Sequence, residues 1–425
     1  MSLCLLLLFI VMAVLGIPLS ISLGLSAAMT FWWFDLPLSM ISQAMSTSIN
    51  SFLLIAVPLF ILAGQIMERG GLSERIFDAA EAVVGRFRGG LGHVNIASSF
   101  VFGGISGSSV ADIASLGPIS IRAMTSRGYP LPYSAALTLI TATLATLVPP
   151  SILIIVAAAS AGQSVGAALA GGLGPGLLLA LTLALYNGFI AKRHGYGSVA
   201  SFDYRHSLNS LARALPSIGA PVIILTGMFS GFVTPTEGAG LAVIYTLIVA
   251  CLVHRELGWR EILPLIIRAG HIAGSVLLIL MVANVATYLF TIDLLPQKAS
   301  GWLGNIADSP FAILLLMGVI FLIVGMLMDI VAAALMLIPV LMPAATNAGV
   351  DPLHFLIFMV ASLAVGLASP PVGTCLFATA QVSRVPVERL VIAALPFYIV
   401  NLLVLVVLAA LPQVILWPAT WLTSY

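Results

Sequence analysis

Two pairs of adjacent prolines lie inside apolar segments, where they would expose backbone carbonyl oxygens to a ligand. The first pair is Pro149-Pro150 in TLATLVPPSILII, and the second is Pro370-Pro371 in LAVGLASPPVGTC. Because proline has no N–H, the carbonyl four residues earlier loses its helical donor. An unpaired carbonyl in hydrocarbon is costly, so each of these oxygens needs a polar partner.

The carbonyls freed in this way belong to Ala145, Thr146, Gly366 and Leu367. Small cations prefer hard oxygen ligands, as Mg²⁺ and Ca²⁺ do, and Na⁺ is of the same kind. Two matching clusters of carbonyls therefore favour a pair of Na⁺ sites. The alternative is that serine and threonine hydroxyls solvate two ordinary proline kinks.

Two glycine-containing segments carry the hydroxyls and carboxylates of the same apolar regions. GGISGSSVAD, residues 103–112, and VGMLMD, residues 324–329, each contain one aspartate. An ionisable residue at membrane depth is functional by default, although these aspartates could instead cap the ends of half-helices. The candidate substrate contacts are Ser108, Ser109, Asp112, Asp329 and Thr374.

One register connects the two halves of the chain. The two proline pairs are separated by 371 − 150 = 221 residues. The same offset pairs Gly104 with Gly325, Ala111 with Ala332, Pro118 with Pro339, and Ser108 with Asp329. A duplicated unit that breaks one helix in each copy is the sequence pattern of a transport site near the bilayer midplane.

The composition places these motifs in a membrane. Of the 425 residues, 61% are hydrophobic and only 7% are charged, whereas soluble domains carry about 25% charged residues. The chain offers roughly ten apolar stretches near the ~20 residues that a span requires. We therefore predict an all-α polytopic membrane protein, and the absence of a basic tract argues against nucleic acid. Residues 3–34 form either one long bent helix or two short ones.

The repeat divides the chain around a polar linker, and each half should contain one re-entrant hairpin and one broken helix. The first half is 1–190, with hairpin 92–124 and broken helix 131–160; the linker is 191–213; the second half is 214–425, with hairpin 311–346 and broken helix 353–383.

Positive charge predicts the orientation of the two halves. Arginine and lysine concentrate in 69–88, 122–127, 192–213, 254–268 and 384–389, so these segments should be cytoplasmic. The second-half counterparts of the first two are 297–308 and 343–352, and Lys298 is the only arginine or lysine in them. Equivalent pieces should therefore lie on opposite sides, which makes the duplication an inverted repeat.

The sequence contains no clear catalytic motif. SGSS lacks the pattern of a nucleophile elbow, and no histidine is placed to act as its base. The three cysteines are far apart in the sequence and form no CxxC or Cys/His pattern. An intramembrane hydrolase that uses Ser108 or Ser109 with Asp112 remains a remote alternative.

Seven motifs together resemble the large membrane subunit of tripartite ATP-independent periplasmic (TRAP) transporters. They are VPLFILAGQIMERGGLSERI, RGGLGHVNI, SGSSVAD, LVPPS, TPTEGA, GMLMD and SPPVG, at positions between 57 and 373. The resemblance implies an inner-membrane permease that imports an anionic organic acid by a sodium-driven elevator mechanism. The acid would be a C4-dicarboxylate, sialic acid or another sugar acid. The resemblance also implies two partners, a small four-helix membrane subunit and a periplasmic substrate-binding protein.

The resemblance further implies two or more Na⁺ ions, held mainly by backbone carbonyls between each hairpin and its broken helix. Carried onto this chain, the ligands of one site would be Ser106, Ala145, Val148 and Pro150, and those of the other Gly325, Gly366, Ser369 and Val372. The main alternative is a self-sufficient Na⁺/anion symporter that needs no binding protein.

Overall fold

A computed structural model describes residues 1–50, 52–196, 204–306 and 309–423, and within these ranges every regular element is helical. The helices of the first half are α1 Ser2–Val14, α2 Leu19–Trp33, α3 Ser39–Ile49, α4 Ala56–Arg69, α5 Leu72–Val84, α6 Gly90–Ser106, α7 Ser109–Ser115, α8 Gly117–Ser126, α9 Leu131–Thr141, α10 Leu144–Leu147, α11 Ile152–Ser160 and α12 Val165–His194. The helices of the second half are α13 Tyr204–Phe229, α14 Pro235–Ile248, α15 Trp259–Ile292, α16 Leu295–Ile306, α17 Pro310–Leu327, α18 Ile330–Asn347, α19 Pro352–Leu367, α20 Thr374–Ser383, α21 Val387–Ala410 and α22 Gln413–Leu422.

The all-α membrane architecture is confirmed. By length and hydropathy, 7 described helices could cross a membrane alone, and 9 segments could do so if two bent helix pairs each count as one span. The single helices are Val165–His194, Ser210–Phe229, Pro235–Val253, Trp259–Ile292, Pro310–Leu327, Ile330–Asn347 and Val387–Ala410. Residues 3–34 form two helices, α1 and α2, which resolves the alternative that the sequence leaves open.

The segments predicted as hairpins are helix–turn–helix units. In the first, α6 ends at Gly107, whose φ of +58° is a left-handed conformation that glycine adopts freely. Ser108 then caps α7. In the second, α17 ends at Leu327 and Asp329 caps α18.

Both predicted broken helices lie at the centre of the molecule. α19 is buried along all of Leu353–Leu367, as a helix that is apolar on every face requires. α9 and α10 are followed by a break at 148–151, where the chain bends by 42° before α11. The equivalent break, 368–373, separates α19 from α20. Both Pro-Pro peptide bonds are cis.

The segment predicted as a polar linker is partly helical. α12 continues to His194, with Lys192 and Arg193 in its last turn and Gly195 ending it at φ +69°, because cations and a left-handed glycine suit a helix C-terminus. Of the predicted linker, 191–194 and 204–213 are thus helical, and 197–203 lie outside the described residues.

The positively charged segment 254–268 is also largely helical. α15 begins at Trp259, so most of this segment belongs to that helix. Its first turn is supported by Glu261, whose carboxylate accepts a hydrogen bond from the Gly258 N–H at 3.2 Å. Arg268 therefore lies within α15, a helix that is long and apolar enough to cross a membrane.

Candidate functional site

The two hairpin tips are built by the same device, a polar side chain that caps the second helix. At the first tip, the Ser108 hydroxyl accepts a hydrogen bond from the Ala111 N–H at 3.4 Å. At the second, one Asp329 carboxylate oxygen accepts hydrogen bonds from the N–H groups of Val331 and Ala332, at 2.9 and 3.2 Å. Ser108 and Asp329 are the pair that the offset of 221 predicts, and both satisfy N–H groups at a helix start.

Glycines bring the first hairpin into backbone contact with the first broken helix. A Cβ added at Gly103 would lie 2.7 Å from the Ala145 Cα, and one at Gly104 would lie 2.8 Å from the Pro149 carbonyl oxygen. A Cβ at Gly107 would lie 2.9 Å from the carbonyl oxygen of Pro150. Only glycine allows this approach, which puts the Ser106 turn beside the Pro-Pro break.

The second hairpin meets its broken helix in the same way. A Cβ added at Gly325 would lie 2.8 Å from the Leu363 carbonyl oxygen, and one at Gly366 would lie 3.0 Å from the Gly325 Cα. Gly325 and Gly366 correspond to Gly104 and Ala145 under the offset of 221. The predicted ligands Gly325 and Gly366 are therefore adjacent in space.

The carbonyls freed by the prolines have different partners. The Thr146 carbonyl accepts the Ser151 hydroxyl at 2.7 Å, and the Gly366 carbonyl accepts the Ser369 N–H at 2.9 Å. Each oxygen keeps a second lone pair that could serve an ion. Ser369 also donates its hydroxyl to the Val365 carbonyl at 2.7 Å. The Ala145 and Leu367 carbonyls have prolines at the positions of their helical donors.

The residues near the breaks fit an alkali cation better than a transition metal. The groups that could bind an ion there are backbone carbonyls and serine hydroxyls. The described ranges contain no cluster of three or more His, Cys, Asp or Glu side chains that could hold a metal ion. Hard oxygens of this kind suit Na⁺. Val148 is buried, whereas Val372 is 46% exposed, so any role of these two would use their carbonyls.

Four of the five candidate substrate contacts line one cavity. Its volume is about 200 Å³, and Ser108, Ser109, Asp329 and Thr374 lie in its wall. We call it the tip cavity, because both hairpin tips reach it. Thr146 and Leu367, which lie beside the first and the second break, also line it.

Asp112, the fifth candidate, does not line the tip cavity. It is fully buried, and one of its carboxylate oxygens accepts the Ser99 hydroxyl at 2.9 Å. The Ser99 hydroxyl oxygen also lies 3.3 Å from the Thr141 hydroxyl oxygen, so Asp112 belongs to a polar cluster between α6, α7 and α9. Asp112 caps no helix either, because Ser108 is the cap of α7.

Two further cavities continue from the tip cavity toward the charged end of the molecule. The middle cavity, of about 260 Å³, shares Ser108 and Ile272 with the tip cavity and is also lined by Ser106. The outer cavity, of about 380 Å³, shares Gln65, Glu68 and Arg268 with the middle one. Arg268 is not among the site residues predicted from the sequence, although an arginine inside the apolar stretch LPLIIRAGHIAGS signals it.

Ion pairs surround the outer cavity. Arg69 pairs with Glu261 at 2.8 Å, and Arg75 pairs with Glu256. Burial and the nearby Arg75 cation lower the pKa of His254, outside the membrane spans, below its usual value. His254 is therefore neutral at physiological pH and adds no charge to this end.

Three curated relatives are similar to the chain over most of its length. It is 35% identical over 408 residues to the isethionate TRAP transporter permease protein DctMQ of Oleidesulfovibrio alaskensis, covering 96% of this chain and 64% of that protein. It is 34% identical to the sialic acid TRAP transporter large permease protein SiaM of Vibrio cholerae, covering 88% and 87%. It is 35% identical to the C4-dicarboxylate TRAP transporter large permease protein DctM of Pseudomonas aeruginosa, covering 94% of both.

Among solved structures, the fold is similar to that of the YdaH transporter of Alcanivorax borkumensis. The TM-score is 0.59 at 16% identity, covering 87% of this chain and 86% of that one. This likeness concerns the fold alone. A family model described as the DctM component of the tripartite ATP-independent periplasmic transporter matches residues 6–414. That match and the named permeases mean that the chain is a transporter subunit and not an enzyme, and that it belongs to the DctM family of TRAP transporter large membrane subunits.

Proposed function

We propose that the chain is the permease subunit of a sodium-coupled, binding-protein-dependent secondary transporter that imports an anionic organic acid. One observation carries the proposal: both hairpin tips, and residues that flank both Pro-Pro breaks, line the tip cavity. Side chains separated by 221 residues, Ser108 and Asp329, face the same space. A single site shared by two copies of one unit is what a transporter built from repeats requires.

The two halves act as an inverted repeat in this proposal. Segments 92–124, 131–160, 311–346 and 353–383 move together as a transport domain, and the other helices anchor it. The close glycine contacts between each hairpin and its broken helix support movement as one body, because packed cores transmit displacement rather than absorb it. An elevator mechanism follows if this domain carries the tip cavity across the scaffold.

Two Na⁺ ions would drive the cycle, one at each break. The Asp329 carboxylate adds negative charge to the tip cavity, so an anionic substrate needs compensating positive charge to bind there. Na⁺ held by Ser106, Ala145, Val148 and Pro150 would supply it on one side. Na⁺ held by Gly325, Gly366, Ser369 and Val372 would supply it on the other.

The family supports the remaining parts of the proposal. We infer that a small four-helix membrane subunit and a periplasmic substrate-binding protein act with this chain in the bacterial inner membrane. The relatives are named for isethionate, sialic acid and C4-dicarboxylates. The substrate proposed here is an acid of that kind, with one or more carboxylates or a sulfonate.

Uptake into proteoliposomes tests the proposal. The chain is reconstituted with its small membrane subunit, and uptake of radiolabelled succinate, N-acetylneuraminate and isethionate is followed with the loaded binding protein outside. We expect uptake of at least one acid only with all three proteins and an inward Na⁺ gradient. Uptake that ignores Na⁺ would refute sodium coupling, and strong uptake by the chain alone would support the self-sufficient symporter.

A further inference from the structure

The path from the tip cavity to the charged end runs along one face of α15. Val276 and Ile272 line the tip cavity, Ile272 and Arg268 line the middle cavity, and Arg268 also lines the outer cavity. These three residues are spaced four apart, so they occupy one side of the helix and cover about 12 Å along it. Arg268 is thus the first cation that an anion meets on this path.

Residues of α4 also line the path. Ile61 lines the tip and middle cavities, and Gln65 and Glu68 line the middle and outer ones. The Gln65 side-chain carbonyl oxygen is buried and has no hydrogen-bond partner in the part of the chain that the structure describes. A buried polar atom without a partner marks a place that water or a ligand would occupy.

Arg268 has charge available for a ligand. The cations and anions at the outer cavity are largely engaged, since Arg69 pairs with Glu261 and Arg75 with Glu256. Among the described residues, Arg268 forms no ion pair within 4.0 Å. Arg268 is exposed, and it lines both the middle and the outer cavity.

We propose that Arg268 binds the carboxylate or sulfonate of the transported acid on the release path between the tip cavity and the predicted cytoplasmic side. This inference rests on the proposed function and adds a second anion-binding position to it. A guanidinium holds a planar carboxylate with two parallel hydrogen bonds, which lysine cannot reproduce. Glu68, across the same cavity, opposes anion entry and would favour onward release.

The first test measures the local charge without any substrate. A single cysteine at Ile272, which is 41% exposed, is placed in a background without Cys4, Cys251 and Cys375. Its rates of reaction with an anionic sulfonatoethyl and a cationic trimethylammonioethyl methanethiosulfonate are compared. We expect Arg268→Gln to lower the anionic-to-cationic rate ratio by about three- to ten-fold, because the two residues are one helical turn apart.

Two other variants test whether the rate ratio follows the charge that lines the path. Glu68→Gln should raise the same ratio, because it removes the opposing charge. Arg260→Gln is the matched control: this exposed arginine lies on α15 but lines none of the three cavities. It should leave the ratio within two-fold of the parent protein.

The second test measures binding from the release side. Binding protein is added only outside the vesicles, so only permeases of one orientation take up the acid. The same acid is also loaded inside the vesicles. Internal acid should inhibit net uptake, and Arg268→Gln should raise the half-inhibitory concentration about ten-fold or more. In Arg268→Gln, the dependence of uptake on the acid concentration outside the vesicles should not change. Arg268→Lys should restore part of the inhibition by internal acid.

The outcomes separate the inference from the proposed function. If the parent complex takes up none of the three acids, the proposed function is refuted, and the reagent ratio alone decides whether Arg268 sets the charge of the path. If uptake occurs but Arg268→Gln matches Arg260→Gln in both tests, the role of Arg268 is refuted. The role of Arg268 would also be refuted if Arg268→Gln lowered only the maximal rate of uptake and left its dependence on external and on internal acid unchanged. That result would indicate a structural role.

Discussion

Replacing Gly366 by alanine should weaken Na⁺ binding at the second break. The added Cβ would lie 2.7 Å from the Leu322 carbonyl oxygen and 3.0 Å from the Gly325 Cα, both of them backbone atoms. Ordinary contacts begin near 3.4 Å, so α17 and α19 must separate by about 0.7 Å where they cross. Overpacking of this kind costs about 1–3 kcal/mol.

The separation of the helices moves the backbone of two proposed Na⁺ ligands, Gly325 and Gly366. The strain should therefore weaken ion binding. If the whole cost appears in the ion-bound state, it corresponds to about 5–150-fold weaker Na⁺ affinity. The assay is uptake against external Na⁺ concentration in proteoliposomes, together with the melting temperature of the purified complex in NaCl and in choline chloride. The Na⁺ concentration for half-maximal uptake should rise, and stabilisation by NaCl should shrink.

Gly274→Ala is the matched control, because Gly274 lies within α15 and its added Cβ would meet nothing within 4 Å. It should leave the Na⁺ dependence unchanged, and alanine's better helix propensity should preserve or raise stability. If Gly366→Ala has a Na⁺ dependence within two-fold of this control, the second Na⁺ site does not lie at the crossing of α17 and α19.

Three further outcomes are expected. Pro371→Ala should shift the Na⁺ dependence of uptake more than Ser106→Ala, because a new N–H can reclaim the Leu367 carbonyl whereas Ser106→Ala removes one hydroxyl; equal Na⁺ titrations for the two variants would contradict the carbonyl site. Asp329→Asn should keep the fold, since asparagine caps about as well as aspartate, but should change the apparent affinity for the acid; unchanged kinetics would reduce Asp329 to a cap. Single cysteines at Lys192 and Gln297 should react with an impermeant maleimide from opposite sides of the membrane, and labelling of both from one side would contradict the inverted repeat.

Much of the site follows from local sequence rules. Proline pairs interrupt a helix wherever they occur, and Ser108 and Asp329 suit the start of the next helix. The composition requires a membrane protein, and the repeat offset of 221 pairs the two tips. The breaks and caps depend on residues close to each other along the chain, and the repeat depends on matching residues at a fixed offset. Neither depends on how the helices pack, so the sequence is enough to predict them.

The direction of each polar side chain depends instead on helices that come from distant parts of the chain. Asp112 and Ser108 are four residues apart at one tip, yet Ser99 of α6 draws Asp112 into a buried cluster while Ser108 faces the tip cavity. Arg268 belongs to a segment whose charge predicts a cytoplasmic position, but α15 extends through it and lines the path together with α4. Local patterns therefore determine where the helices break, and the packing of separate helices decides which oxygens and charges face the cavities.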